Sequence, residues 1–351
     1  MSKSRVVLIL AFVYFFLWPI PVSAELLQQE LTLGVPVAGN LSGTGDVKYY
    51  QVNVTAGQHL FVVVDDDYNY YSYDLYIKFG SLPTTVDYDD KGDSPNADQT
   101  VEIASTQAGY YYVMLRSTSG GGNYTIVAHT NSSFPALTLG TAKAGSLQGT
   151  YDIKYYQVSM TAGQHLFVVL DDEYNYYSYD LYIKFGSLPT TVDYDDKGDS
   201  PNADQAVEIA STQAGYYYIM VRSTSGGGNY TVVAHTNSSF PALGILKTGS
   251  LQGTYDIKYY QVSVTAGQHL FVVLDSYSNY NYYDLYIKFG SLPTTVDYDD
   301  KGDSPNADQV VEIASTQAGY YYVMLRSTSG GGNYNIVAYT SRIFLPIVLR
   351  N

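Results

Sequence analysis

"DLYIKFGSLPTTVDYDDKGDSPNADQ" stands at residues 74–99, again at 180–205 and a third time at 284–309, with no difference among its 26 residues. Its opening alternates as a strand does, with Leu75, Ile77 and Phe79 on one face. Its second half is a string of Asp, Gly, Pro and Asn, the residues of turns. Outward from this stretch the whole chain repeats, with a shift of 106 residues from the first copy to the second and 104 from the second to the third. A period of that size belongs to a self-sufficient domain, whereas a solenoid unit runs to roughly 20–50 residues. The chain reads as beads on a string, joined by "HTNSSFPAL" at 129–137 and 235–243. Linkers so short and Pro-containing restrict the motion of neighbouring beads.

Within a copy, short runs of period two are separated by turn residues. In the first they are "DVKYYQVNV" (46–54), with Tyr50, Val52 and Val54 on one face, "QHLFVVVD" (58–65), "TVEIAS" (100–105), "GYYYVMLRS" (109–117) and "NYTIVAH" (123–129). A further short strand is expected near Leu31 to Val35, making about seven, the number of a small sandwich. No segment has a helical period, so the class is all-β. Lys3 and Arg5, an apolar run and Val22-Ser23-Ala24 predict a secretory signal over 1–24. The expected division is then repeat one over 25–135, repeat two over 136–241, repeat three over 242–340 and an apolar tail over 341–351. No span is expected to remain after signal cleavage.

Each copy resembles the bacterial pre-peptidase C-terminal domain. The resemblance rests on an Asp before a Tyr-rich strand ("DIKYYQV", 152–158), the turn "TAGQ", "DLYI" opening a central strand, and "GYYYVMLRS" followed by "GNY". It implies three tandem jelly-roll-like β-sandwich domains, an extracellular location, and in many relatives Ca2+. The acidic stretch before the first strand that holds calcium in some of them is not matched here, since Glu25 and Glu30 precede only the first copy.

The composition bounds the partners. Acidic residues outnumber basic ones 33 to 18, a net charge of −15, and two of the basic residues lie in the signal. Nucleic acid is a poor partner for such a surface, which suits cations or neutral polysaccharide. There are no cysteines, so core burial, with or without metal, holds the exported chain together.

The acidic part of the repeat is the candidate metal loop. Asp87, Asp89, Gly92 and Asp98 fall at positions 1, 3, 6 and 12, the skeleton of an EF-hand loop. Lys91 stands where the fifth position wants oxygen, and no helices flank it, so a calcium loop of another geometry is expected, drawing on Asp90 or Asp93. The candidate ligands are therefore Asp87, Asp89, Asp90, Asp93 and Asp98, with Asp193, Asp195, Asp196, Asp199 and Asp204, and Asp297, Asp299, Asp300, Asp303 and Asp308. The alternative is a polar hairpin whose aspartates cap turns. A second cluster, Asp65 to Asp67, becomes Asp275, Ser276 and Tyr277 in the third copy.

Catalysis is not expected: no G-x-S-x-G, H-E-x-x-H or phosphate loop occurs, and His59, His165 and His269 recur at one strand position beside Leu and Phe. Two non-catalytic readings stand. Forty tyrosines exceed what a core needs. Exposed rings at Tyr70, Tyr71, Tyr73, Tyr176, Tyr177, Tyr179, Tyr280 and Tyr283 could stack on sugars, three weak sites gaining avidity. The favoured reading is an extracellular building block that assembles head-to-tail with itself. The tail "SRIFLPIVLRN" offers Ile343, Phe344, Leu345, Ile347, Val348 and Leu349 for docking on the next molecule, for closing the third bead, or as a sorting tag.

Overall fold

The computed structural model describes residues 28–66, 70–92, 94, 97–172, 177–198, 200, 204–244, 246–278, 280–302 and 304–341. In the first copy the alternating runs become β1 (Gln29–Glu30), β2 (Val37–Asn40), β3 (Val47–Val54), β4 (Leu60–Asp66), β5 (Ser72–Phe79), β6 (Asp90–Lys91), β7 (Gln99–Ile103), β8 (Gly109–Ser119) and β9 (Asn123–Thr130). They form two sheets, ordered β1-β3-β8-β5-β6 and β2-β9-β4-β7. The chain changes sheet at nearly every connection, which is the jelly-roll manner of building a sandwich. All pairings are antiparallel except β1 with β3.

Period two decides which side chains meet between the sheets. Val52 and Val54, Leu75 and Ile77, and Val113 and Leu115 come from one sheet; Leu60, Val62 and Val64, Val101, and Ile126 and Ala128 come from the other. The same positions build the cores of the second and third copies. Across each core two phenols hydrogen-bond to one another: Tyr50 and Tyr124 at 2.5 Å, Tyr156 and Tyr230 at 2.7 Å, Tyr260 and Tyr334 at 2.6 Å. A buried hydroxyl without such a partner would cost about 1–3 kcal/mol. The Tyr124 ring lies so close over Gly39 that a Cβ there would meet it at 2.4 Å, which is why β2 keeps a glycine.

Two expectations are corrected. The stretch from Leu31 to Val35 is not a strand: Gly34 takes φ 77° and Val35 N–H closes a turn on Thr32 O at 3.0 Å, so strand pairing falls on either side of it. The acidic segment is not one open loop, because Asp90–Lys91 pairs with Ile77 and Tyr76 as β6.

The second and third copies repeat the two sheets with four strands each. Where β1 lies in the first copy, the linkers supply parallel bridges, Ala136 to Gln157 and Ala242 to Gln261. Each linker thus leaves the last strand of one bead and joins the edge of the next.

Candidate functional site: the joints between beads

The repeated carboxylates are dispersed among separate partners. Asp87 pairs with Lys78, Asp193 with Lys184 and Asp297 with Lys288. Asp89 accepts the Phe79 N–H at 2.8 Å and Asp90 the Glu102 N–H at 2.7 Å. Asp195 and Asp196 do the same for Phe185 and Glu208, and Asp299 and Asp300 for Phe289 and Glu312. Asp98 turns to the other side and takes the Asp66 N–H at 2.7 Å, as Asp204 does for Asp172 and Asp308 for Ser276. Asp93, Asp199 and Asp303 lie outside the described residues. The described aspartates of this segment tie β6 to its neighbours and cap backbone amides. This donor set does not fit a single calcium ion, since oxygens that would have to converge are committed to N–H groups and ammonium groups on different strands.

The tyrosine platform is also corrected. Tyr73, Tyr179 and Tyr283 are inner residues of their strands and are buried. Tyr71 and Tyr177 are half-buried, their rings lying against Gly120 and Gly226. Tyr70 and Tyr280 remain open, 84% and 91% exposed. Tyr176 and the tail residues Ile343, Phe344, Leu345, Ile347, Val348 and Leu349 lie outside the described residues.

What the structure does bring together is the joint. Phe61 points outward from β4, yet its exposure is 0%, because Phe134 of the linker and Tyr218 and Leu188 of the second bead close over it. Ring centroids are 5.1 Å apart for Phe61 with Phe134 and for Phe61 with Tyr218. Phe167, Phe240, Tyr322 and Leu292 repeat the arrangement at the second joint. Polar groups fix its register: Tyr218 O–H donates to Asn131 at 2.8 Å, Gln157 Nε2 donates to Asn131 O at 2.6 Å, and Leu188 N–H donates to Glu102 at 3.3 Å. At the second joint Tyr322 donates to Asn237 at 2.7 Å and Leu292 N–H to Glu208 at 2.9 Å. Two strand histidines border the joints: His59 pairs with Glu102 and its ring tilts against Phe61 at 4.2 Å, and His165 does the same with Glu208 and Phe167 at 4.1 Å.

Beside each aromatic wedge lies a charged cluster. Lys154 of the second bead reaches both Asp65 of the first and its own Asp152, at 2.9 Å for the latter. Lys258 does the same with Asp171 and with Asp256 at 3.0 Å. Asp204 bridges the second joint, accepting the Asp172 N–H of its own bead at 2.8 Å and the Ile257 N–H of the next at 3.1 Å. Oxygens of Asp171, Asp204 and Asp256 lie within 4.8 Å of one another. The Lys258 ammonium already sits on two of these three carboxylates and backbone amides hold the third, so the lysine serves where a cation would otherwise be needed.

Carboxylates outnumber ammonium groups in this cluster, and that sets its titration. Burial, with Asp152 close by, pushes Asp65 up to about 6 despite Lys154. Burial and the neighbouring Asp171 raise Asp204 well above the carboxylate range. Burial alone would lower Lys154, but Asp65 and Asp152 more than offset it and hold the ammonium charged. The native joint therefore binds more protons than the unfolded chain between about pH 4 and 6, so its stability rises as pH falls through that window. A gain of about 1–3 kcal/mol is expected at the first joint from pH 7 to pH 4.5, with a gain of the same sign at the second, read as a larger amide protection factor at Phe61 and Phe167, and Asp65→Asn should flatten it at the first joint. A protection factor at Phe61 that falls on acidification would contradict this charge assignment.

The sequence predicts linkers that restrict bead motion and marks Asp152 as a family residue, but it does not single out Phe61 or Lys154 as joint residues. The available signal was "D-[VI]-K-Y-Y-Q", kept at the start of the first long strand of all three copies.

The sequence profile of the bacterial pre-peptidase C-terminal domain matches residues 46–117, 152–223 and 256–327. A stretch of 102 residues is 36% identical to alkaline serine exoprotease A of Vibrio alginolyticus; it is 29% of this chain and spans only 19% of the protease. Among solved structures, the pre-peptidase C-terminal domain of a collagenase from Bacillus anthracis aligns with 28% of this chain and 92% of its own, at 16% identity and TM-score 0.24. A periplasmic inhibitor of g-type lysozyme from Aeromonas hydrophila aligns with 30% of this chain and 99% of its own, at 14% identity and TM-score 0.23.

Proposed function

The chain belongs to the bacterial pre-peptidase C-terminal domain family, and on that premise we propose that it is a secreted, non-catalytic building block, a stiff rod of three beads. The observation that carries this reading is Phe61 and Phe167, outward-facing strand residues that are fully buried by the neighbouring bead. Beads meant to move independently would expose such rings to water at each excursion, at about 1.5–3 kcal/mol apiece. Secretion is supported by the signal-like residues 1–24 and by the exoprotease relative. The non-catalytic reading is supported by histidines engaged in the joints, and by three family domains that cover most of the chain between Asp46 and Ser327. Lysine, not calcium, neutralises the joint in this proposal.

The test is limited proteolysis of the chain lacking residues 1–24, with calcium and with EDTA. The rod predicts that both linkers, 129–137 and 235–243, survive protease equally in the two buffers. Bead-sized fragments in both would sink the rod, and fragments in EDTA alone would return the structural role to a captured cation.

A second reading, binding of neutral polysaccharide, is favoured by one observation. Tyr70 and Tyr280 hold equivalent positions and both present nearly whole rings to solvent. Retention on a glycan column that is lost in the Tyr70→Ala, Tyr280→Ala variant would establish it.

A further inference from the structure

The two outer faces of the array carry the two halves of the same joint. On the far face of bead three, Phe271 and Asp275 stand where Phe61 and Asp65, and Phe167 and Asp171, stand in the joints. Phe61 and Phe167 are fully buried, while Phe271 is partly open and Asp275 exposed. The Glu312 side chain is 51% exposed against 24% and 18% for Glu102 and Glu208. Val310, the counterpart of the half-buried Ala206, is 50% exposed. On the near face of bead one, Asp46, Lys48, Leu82 and Tyr112 occupy the places of Asp152, Lys154, Leu188 and Tyr218. Tyr218 is sealed in its joint, whereas Tyr112 and Leu82 are only half-buried. Strand β1 fills the edge position that the linker bridge holds in bead two, so this near face is framed like the others.

We propose that the far face of bead three binds the near face of bead one of a second copy of this chain, forming a third joint like the two inside it. The charges match: Lys48 meets Asp275 with Asp46 and Asp308 beside them, the same one-lysine, three-carboxylate set as Lys258 with Asp171, Asp256 and Asp204. The apolar parts match too, Tyr112 and Leu82 closing over Phe271 while the Leu82 N–H takes Glu312. The two faces are different surfaces, so the contact is heterologous, and repetition without closure gives a linear filament. Within a chain the linker raises the effective concentration of the partner face to the millimolar range. Between chains that help is missing and association costs apply, so the third joint forms only at higher protein concentration.

The inference rests on the building-block reading and names its partner. Sedimentation of the chain lacking residues 1–24 should show mass rising with concentration in whole multiples of the monomer. Lys48→Glu should weaken this self-association by on the order of 30-fold or more, and adding Asp275→Lys to it should recover most of the loss. Because both positions lie on open faces, each variant should melt as the unaltered chain does. A chain that stays monomeric up to about 1 mM, the effective concentration a short linker supplies, overturns the inference. So does assembly indifferent to Lys48→Glu. If a monomeric chain begins to associate once residues 342–351 are removed, the face belongs to the chain's own tail instead. Monomers whose linkers still resist protease would leave the rod intact and remove only its polymerisation.

Discussion

Phe134→Ala is expected to uncouple the first two beads while leaving each folded, at about 3–5 kcal/mol to the joint. The ring is almost wholly buried. It stands 5.1 Å from Phe61, 5.6 Å from Tyr218 and 5.1 Å from His129. Truncation removes these contacts and leaves a void that beads locked by Gln157 and Asn131 cannot close, so transfer and cavity terms add. None of its partners lies between the sheets, so the sandwich cores should be unaffected. Calorimetry should resolve a new early transition for bead one. Phe240→Ala should reproduce the effect at the second joint, with rings 4.8 Å apart at Phe167 and 5.7 Å at Tyr322. A single transition unchanged by either substitution would mean that the linkers are tethers after all.

Lys154→Met tests the charged half of the joint. The methionine keeps the apolar stem but strips the cation from Asp65 and Asp152, leaving carboxylates packed together in a partly buried place. Breaking such a pair from one side costs about 3–5 kcal/mol, because the remaining charges keep their desolvation penalty without the attraction. The loss should be fullest near pH 7 and should shrink as pH falls toward 5, where Asp65 takes up a proton. Asp65→Asn in the same chain should recover much of it at neutral pH, which a purely steric effect of the methionine would not allow. Lys258→Met, with Asp171→Asn as its rescue, repeats the experiment at the second joint. Equal stability of Lys154→Met and the unaltered chain at pH 7 would show that the ammonium contributes nothing.

The sandwiches were legible because period-two patterning is local. Leu75 and Ile77, or Tyr50, Val52 and Val54, declare their inner face within a few residues, and threefold repetition marks the domain size. The edge strand was misplaced because Gly34 puts a turn inside an apolar stretch that otherwise reads as extended. The tyrosines misled because composition counts rings without saying which side of the pleat they occupy: Tyr73 is two residues from a buried Leu75 and therefore faces inward with it. The aspartates misled for a different reason. Spacing along the chain resembles a loop wrapped round an ion, but β6 forms in the middle of it, sending Asp90 toward β7 and leaving Asp98 on the end of β4. The joint itself was illegible because its parts lie far apart in the chain, Asp65 from Lys154 and Phe61 from Tyr218, and no local period links them.

A rod of three beads requires stiffness across both joints. Spin labels placed on exposed positions of beads one and three, for example Val86 and Val296, would report it through their pulsed-resonance distance distribution. A single narrow distance, the same in calcium and in EDTA and broadened by Phe134→Ala, is the predicted result. A broad distribution in the unaltered chain would contradict it.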